Sequence, residues 1–128
     1  MEEVEVLIVK DEGNEFPIPT AWRSVFSRIV EDFVKKDYSL SSGIAGVSFI
    51  SNETTNQIKG YIENYGEELI PIPNETWDSS VCVWMDGYWD VLIDLWTAGE
   101  GCSDLVLRAR VSEVEDGYSI DIGMVYVP

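Results

Sequence analysis

The chain has no histidine among its 128 residues. Ser-His and Cys-His activation, an imidazole general base and every histidine metal ligand are therefore excluded, and most hydrolase and zinc-enzyme schemes go with them. Cysteine is scarce as well: Cys82 and Cys102 are the only two, their spacing matches no metal-ligand pattern, and reduced thiols are expected. No apolar run approaches the ~18 residues of a membrane span, and the acidic start MEEVEV lacks the basic region of a signal peptide. The expectation is a cytoplasmic protein with no membrane partner. Domain linkers, internal repeats and low-complexity runs are missing too, which leaves one domain over residues 1–128.

Basic residues are the other shortage. Eight Lys and Arg stand against 24 Asp and Glu, a formal net charge of −16. No base lies between Lys59 and Arg108, whereas Glu63, Glu67, Glu68, Glu75, Asp78, Asp86, Asp90, Asp94, Glu100 and Asp104 all fall inside that gap. Such a field repels nucleic acid and attracts a basic partner or a cation. Excess acid also serves plain solubility, so charge alone does not assign a role.

What is present is material for a packed core, 45% hydrophobic and 12% aromatic. Val4, Val6 and Ile8 alternate with charged and apolar neighbours, which predicts a strand over residues 3–10 within an N-terminal strand and turn, 1–15. Thr20 is the expected N-cap of a helix over 20–36, with Trp22, Val25, Phe26, Ile29, Val30, Phe33 and Val34 on one stripe and Lys35 and Lys36 at its negative end. Residues 37–50 read as a loop packed on the core, with a brief extended piece at 47–50. A second helix over 52–65 is expected to start at Ser51 or Asn52, to show Ile58, Tyr61, Ile62 and Tyr65 on one face, and to stop at Gly66.

Residues 80–127 then spell an antiparallel meander. Asp86-Gly87 is a two-residue hairpin signal that pairs Trp84 with Trp89. Setting Trp89, Val91, Ile93 and Leu95 opposite Val111, Ala109, Leu107 and Leu105 matches every apolar side chain with another, and places Asp90 against Arg110 and Leu92 against Arg108. Tyr118, Ile120, Ile122, Met124 and Tyr126 would continue the apolar face. The predicted fold is α+β, two helices on one face of a four- or five-stranded antiparallel meander, with curvature like the cone of nuclear-transport-factor-like folds. Cys82 and Cys102 would lie about 20 Å apart at ~3.4 Å per residue, too far for a disulfide.

The opposite sheet face collects the candidate binding residues Tyr88, Asp90, Asp94, Trp96, Arg108, Arg110 and Asp121, a mixture of charge pairs and aromatics that suits a polar ligand. Cross-strand Asp–Arg pairs are also ordinary sheet structure. Val83, Met85, Leu92 and Trp96 are apolar for a solvated face, which adds a protein interface to the expectations, or a symmetric homodimer that buries Leu92 and Trp96. Glycosidase chemistry fits poorly: Asp90 and Asp94 would stand about 13 Å apart, beyond the ~5 to 9.5 Å of paired catalytic carboxylates. No acidic loop has EF-hand spacing. No catalytic residue, metal site or cofactor is assigned.

FPIPTAWRSVFSRIVEDFV, the ETTNQIKGYIENYGEELIPIPNETW segment, and SSVCVWMDGYWDVLIDLWTAGEGCSDLVLRARV with the closing MVYVP resemble a family of small single-domain bacterial proteins of unknown function. The resemblance spans about residues 16–128 and carries no activity with it. The leading expectation is a non-catalytic binding protein whose acidic surface engages a basic protein partner, in the manner of immunity or inhibitor proteins. The alternative is a small polar-ligand binder or weak enzyme using the Asp/Arg/aromatic sheet face.

Overall fold

The computed structural model describes residues 5–128. A six-stranded antiparallel sheet forms its centre, one more strand than the largest expected meander. Strands β3 (Val81–Trp84), β4 (Trp89–Thr97), β5 (Gly101–Val114) and β6 (Gly117–Tyr126) make the meander, and β1 (Glu15–Pro17) adds to the outer edge of β3. β2 (Leu69–Ile70) pairs with the far end of β4, on the same edge that β3 occupies further along. Both helices, α1 (Thr20–Val34) and α2 (Asn52–Tyr65), contribute to one core with the inner face of the sheet.

The β3–β4 turn forms where the sequence asks for it, with Asp86 at φ 56° and Gly87 at φ 139°. The β4–β5 register follows the apolar match from Trp89↔Val111 through Ile93↔Leu107 to Asp94↔Val106. Beyond that point it shifts to Trp96↔Cys102, so Leu95 and Leu105 no longer face each other as a regular pair. The buried Ser103 hydroxyl repairs the irregularity, donating to the Leu95 carbonyl at 2.8 Å and accepting from the Leu105 amide at 3.1 Å.

A second bulge changes the last strand. Ile122 lies opposite Ala109 and Met124 opposite Arg108, leaving Gly123 without a partner. A Cβ at Gly123 would stand 3.1 Å from the Arg108 carbonyl oxygen, so the close approach favours glycine. One extra residue reverses every side chain beyond it. Val125 enters the core fully buried, while Met124 and Tyr126 turn to the outer face, contrary to the unbroken alternation expected for this strand.

The N-terminal strand is also corrected. Residues 5–10 form no ladder, and residues 3 and 4 lie outside the described residues. Thr20 and the Trp89 side chain hold this segment instead. Thr20 donates its amide to the Val6 carbonyl (3.0 Å) and accepts the Val6 amide on Oγ1 (2.7 Å); it is the first residue of the helix and not the expected cap, a position that Pro19 takes without a side-chain bond. The Trp89 indole donates to the Val9 carbonyl at 2.9 Å. The segment thereby borders an aromatic cluster in which Trp89 sits 4.5 Å from Trp84 and 5.2 Å from Trp22, centroid to centroid.

Helix α1 ends at Val34, two residues early, because Lys36 adopts φ 67°. Both lysines therefore lie past the last turn. In α2, Ser51 is the cap, its hydroxyl accepting from the Thr54 amide at 3.1 Å, and Gly66 closes the helix in the left-handed region. Ile58 and Ile62 are buried, but Tyr61 is displayed to solvent at 40% exposure and not on the core face. The 37–50 loop buries Tyr38 and Leu40, and Gly46 and Ser48 bond both backbone groups of Ile120 on the β6 edge.

Candidate functional site

The outer sheet face carries no helix, and its seven predicted site residues divide into separate groups. Arg108 grips Asp90 through two bonds, Nε to Oδ1 at 3.1 Å and Nη2 to Oδ2 at 3.0 Å. The fork and the negative charge raise the Arg108 pKa above its ordinary value, so the guanidinium keeps its charge. The pair is diagonal, since Arg108 lies opposite Leu92 in register. Arg110 stands opposite both Asp90 and Asp121, yet its guanidinium lies 4.4 Å over the Tyr88 ring, and among the described residues it forms no ion pair with either.

Asp94 belongs to the strand edge. Its carboxylate accepts from the Ser79 hydroxyl, its backbone amide donates to Ser80 Oγ (2.9 Å), and its carbonyl accepts from Thr76 Oγ1 (2.6 Å). Thr76 and Ser80 thus fill the gap between β3 and β2 along β4, replacing a ladder with two hydroxyls from the 3-10 turn Asn74–Asp78 and its exit. Trp96 lies at the far end, near Gly101, with its indole nitrogen buried and unpaired. Eight residues of extended chain separate Tyr88 from Trp96, about 27 Å at ~3.4 Å per residue, so no single small ligand touches the whole set. Met124 and Tyr126 join this face through the Gly123 bulge and were missed by strict alternation.

The acid-rich gap in the sequence resolves into a pole around the β4–β5 turn. The Glu68 carbonyl accepts the Ala98 amide at 2.8 Å, which ties β2 to the end of β4. A Cβ on Gly99 would overlap the Glu67 carboxylate. The Tyr65 hydroxyl accepts the Asp104 amide at 3.2 Å, and its pKa is raised, chiefly by its hydrogen bond to the Glu100 side chain. Glu67, Glu68, Glu100 and Asp104, from two stretches about thirty positions apart, are thereby brought to one end, and all four are exposed. The Cys102 thiol beside them is also pushed up, first by burial and then by Asp94 and Asp104. Both cysteines are free.

Among the described residues no group of three or more acidic or sulfur side chains has metal-holding geometry. No helix there is long and apolar enough to cross a membrane.

An α+β protein with one uncovered sheet face and a cation-poor pole is thus the class defined by fold and site. The sequence model of one family, Domain of unknown function (DUF7668), matches residues 30–128, and the chain belongs to that family. The match begins inside α1, so the N-terminal segment and β1 lie outside it. No curated protein and no solved structure matches the chain.

Proposed function

We propose that this chain is a non-catalytic binding protein that engages a basic segment of another protein with its acidic pole. The observation that carries the reading is the convergence of Glu67, Glu68, Glu100 and Asp104 around the β4–β5 turn. Exposed carboxylates that repel one another stabilise no fold, and they lower the barrier to encounter with a cationic surface. Lys36 borders the neighbouring cleft with Glu63, Glu67 and Glu68, one base against three acids. The same reading assigns the chain to the cytoplasm, in keeping with two free thiols. The polar-ligand alternative has less support, because Arg108 is engaged by Asp90 and Arg110 by Tyr88 within the face itself.

The test compares affinity capture by the native chain with capture by E67Q/E68Q/E100Q/D104N at low salt. A partner that is retained by the first, lost by the second and released as ionic strength rises supports the proposal. Equal recovery by both chains at all salt concentrations removes it.

A further inference from the structure

An open groove of about 720 Å³ lies between the start of α1 and the Asn74–Asp78 turn, and none of its lining residues belongs to the acidic pole or to the seven sheet-face residues. Its volume falls within the ~300–1,000 Å³ of small-ligand clefts. Arg23 lines it in a fixed attitude. Its Nε donates to the Ile18 carbonyl at 2.9 Å, and its guanidinium lies 5.4 Å from the centre of the Trp77 ring. Those two contacts use the Nε side and one face of the guanidinium and leave the paired Nη edge, one of the two edges that can fork onto a carboxylate. Among the described residues Arg23 is in no ion pair within 4 Å, in a chain where acids outnumber bases three to one.

Asp78 lines the same groove, so it holds one fixed cation and one anion that do not bond to each other. A simple anion entering it meets the field of a −16 chain and a carboxylate at the rim. A zwitterion carries no net charge and offers a partner to each. We infer that the groove binds a small zwitterion of the α-amino-acid class, a free amino acid or a whole dipeptide, with its carboxylate on Arg23 and its ammonium on Asp78. Pro17 and Trp77 supply apolar wall for a side chain, and Ser27 and Asn74 supply further hydrogen-bonding groups. This site is independent of the acidic pole and stands or falls separately.

The test is calorimetric titration of the full chain with each of the twenty common α-amino acids and, for the best of them, its glycyl dipeptide, its amide and its desamino acid. Saturable binding of at least one amino acid or its dipeptide is expected, with both single-charge analogues about ten-fold weaker or worse, as the loss of a charge-assisted contact requires. Arg23→Ala should weaken binding to a similar degree. Because Arg23 also holds Ile18, Asp78→Asn, at an exposed position, provides a variant that keeps the fold. No saturable binding by any of these probes, equal binding of the amide or the desamino acid, or an unchanged Kd in folded Asp78→Asn would overturn the inference. Preference between the free amino acid and its dipeptide identifies the source of the zwitterion.

Discussion

Gln57 treats Val125 as a neighbouring strand would: its side-chain Nε2 donates to the Val125 carbonyl at 2.6 Å, and its Oε1 accepts the Val125 amide at 3.2 Å. One amide side chain on α2 thereby closes the outer edge of β6, which the 37–50 loop closes further along at Ile120. An open edge invites pairing with another chain. Gln57→Ala should cost about 1–3 kcal/mol through two backbone groups left unbonded. Urea denaturation reads that loss, and sedimentation should show new concentration-dependent association in the variant. Unchanged stability together with unchanged sedimentation would mean that the edge needs no such cover.

Gly123 sets which side chains reach the outer face. Gly123→Ala drives a Cβ toward the Arg108 carbonyl oxygen, 3.1 Å away, between two paired strands that have little freedom to part. A destabilisation of about 1–3 kcal/mol is expected, as for other overpacked sites, with the largest rise in amide hydrogen exchange at Met124 and Tyr126. A variant as stable as the parent would show that the bulge yields at no cost.

Cys82 is buried in β3, and burial pushes its thiol up from 9.0 to about 11. The raised value means that the folded chain holds this proton more tightly than the unfolded chain does. The contribution to stability is therefore complete below pH 9 and is lost as pH climbs through about 11. Other groups also change charge in alkaline solution, so the decisive quantity is the difference between the native chain and Cys82→Ala. Their stability gap should narrow steadily from pH 8.5 to pH 11 in urea titrations. A gap that stays constant or widens would contradict the burial argument.

Much of this arrangement was legible in the sequence wherever one alternation had one outcome. Trp89 to Leu95 alternate strictly, and a slip of one residue sets Arg108 beside Val91, so most of the β4–β5 register could be written down in advance. Met124 and Tyr126 were misplaced because the alternation of β6 runs on unbroken through Gly123, and only the glycine itself marks the bulge. The alternation of Val4, Val6 and Ile8 misled in another way. The free edge of β3 is taken by Glu15–Pro17, and the earlier segment is held by Thr20 and the Trp89 side chain, which leave no periodic trace. The shortage of bases between Lys59 and Arg108 was plain, but its gathering into a pole was not. That gathering depends on the pairing of Leu69 and Ile70 with Thr97 and Trp96, and a two-residue strand between Gly66 and Pro71 scarcely announces itself.

The proposed function places a basic partner on the acidic pole and not on the outer sheet face. Its most direct measurement is a titration of isotopically labelled chain with hexalysine, followed residue by residue through backbone amide shifts at low ionic strength. Shifts should concentrate at residues 63–68 and 98–104, stay small at 88–94 and 106–110, and vanish as salt is raised. Shifts centred on Asp90 and Asp121, or spread evenly over the acidic surface, would mean that the pole is not the binding surface.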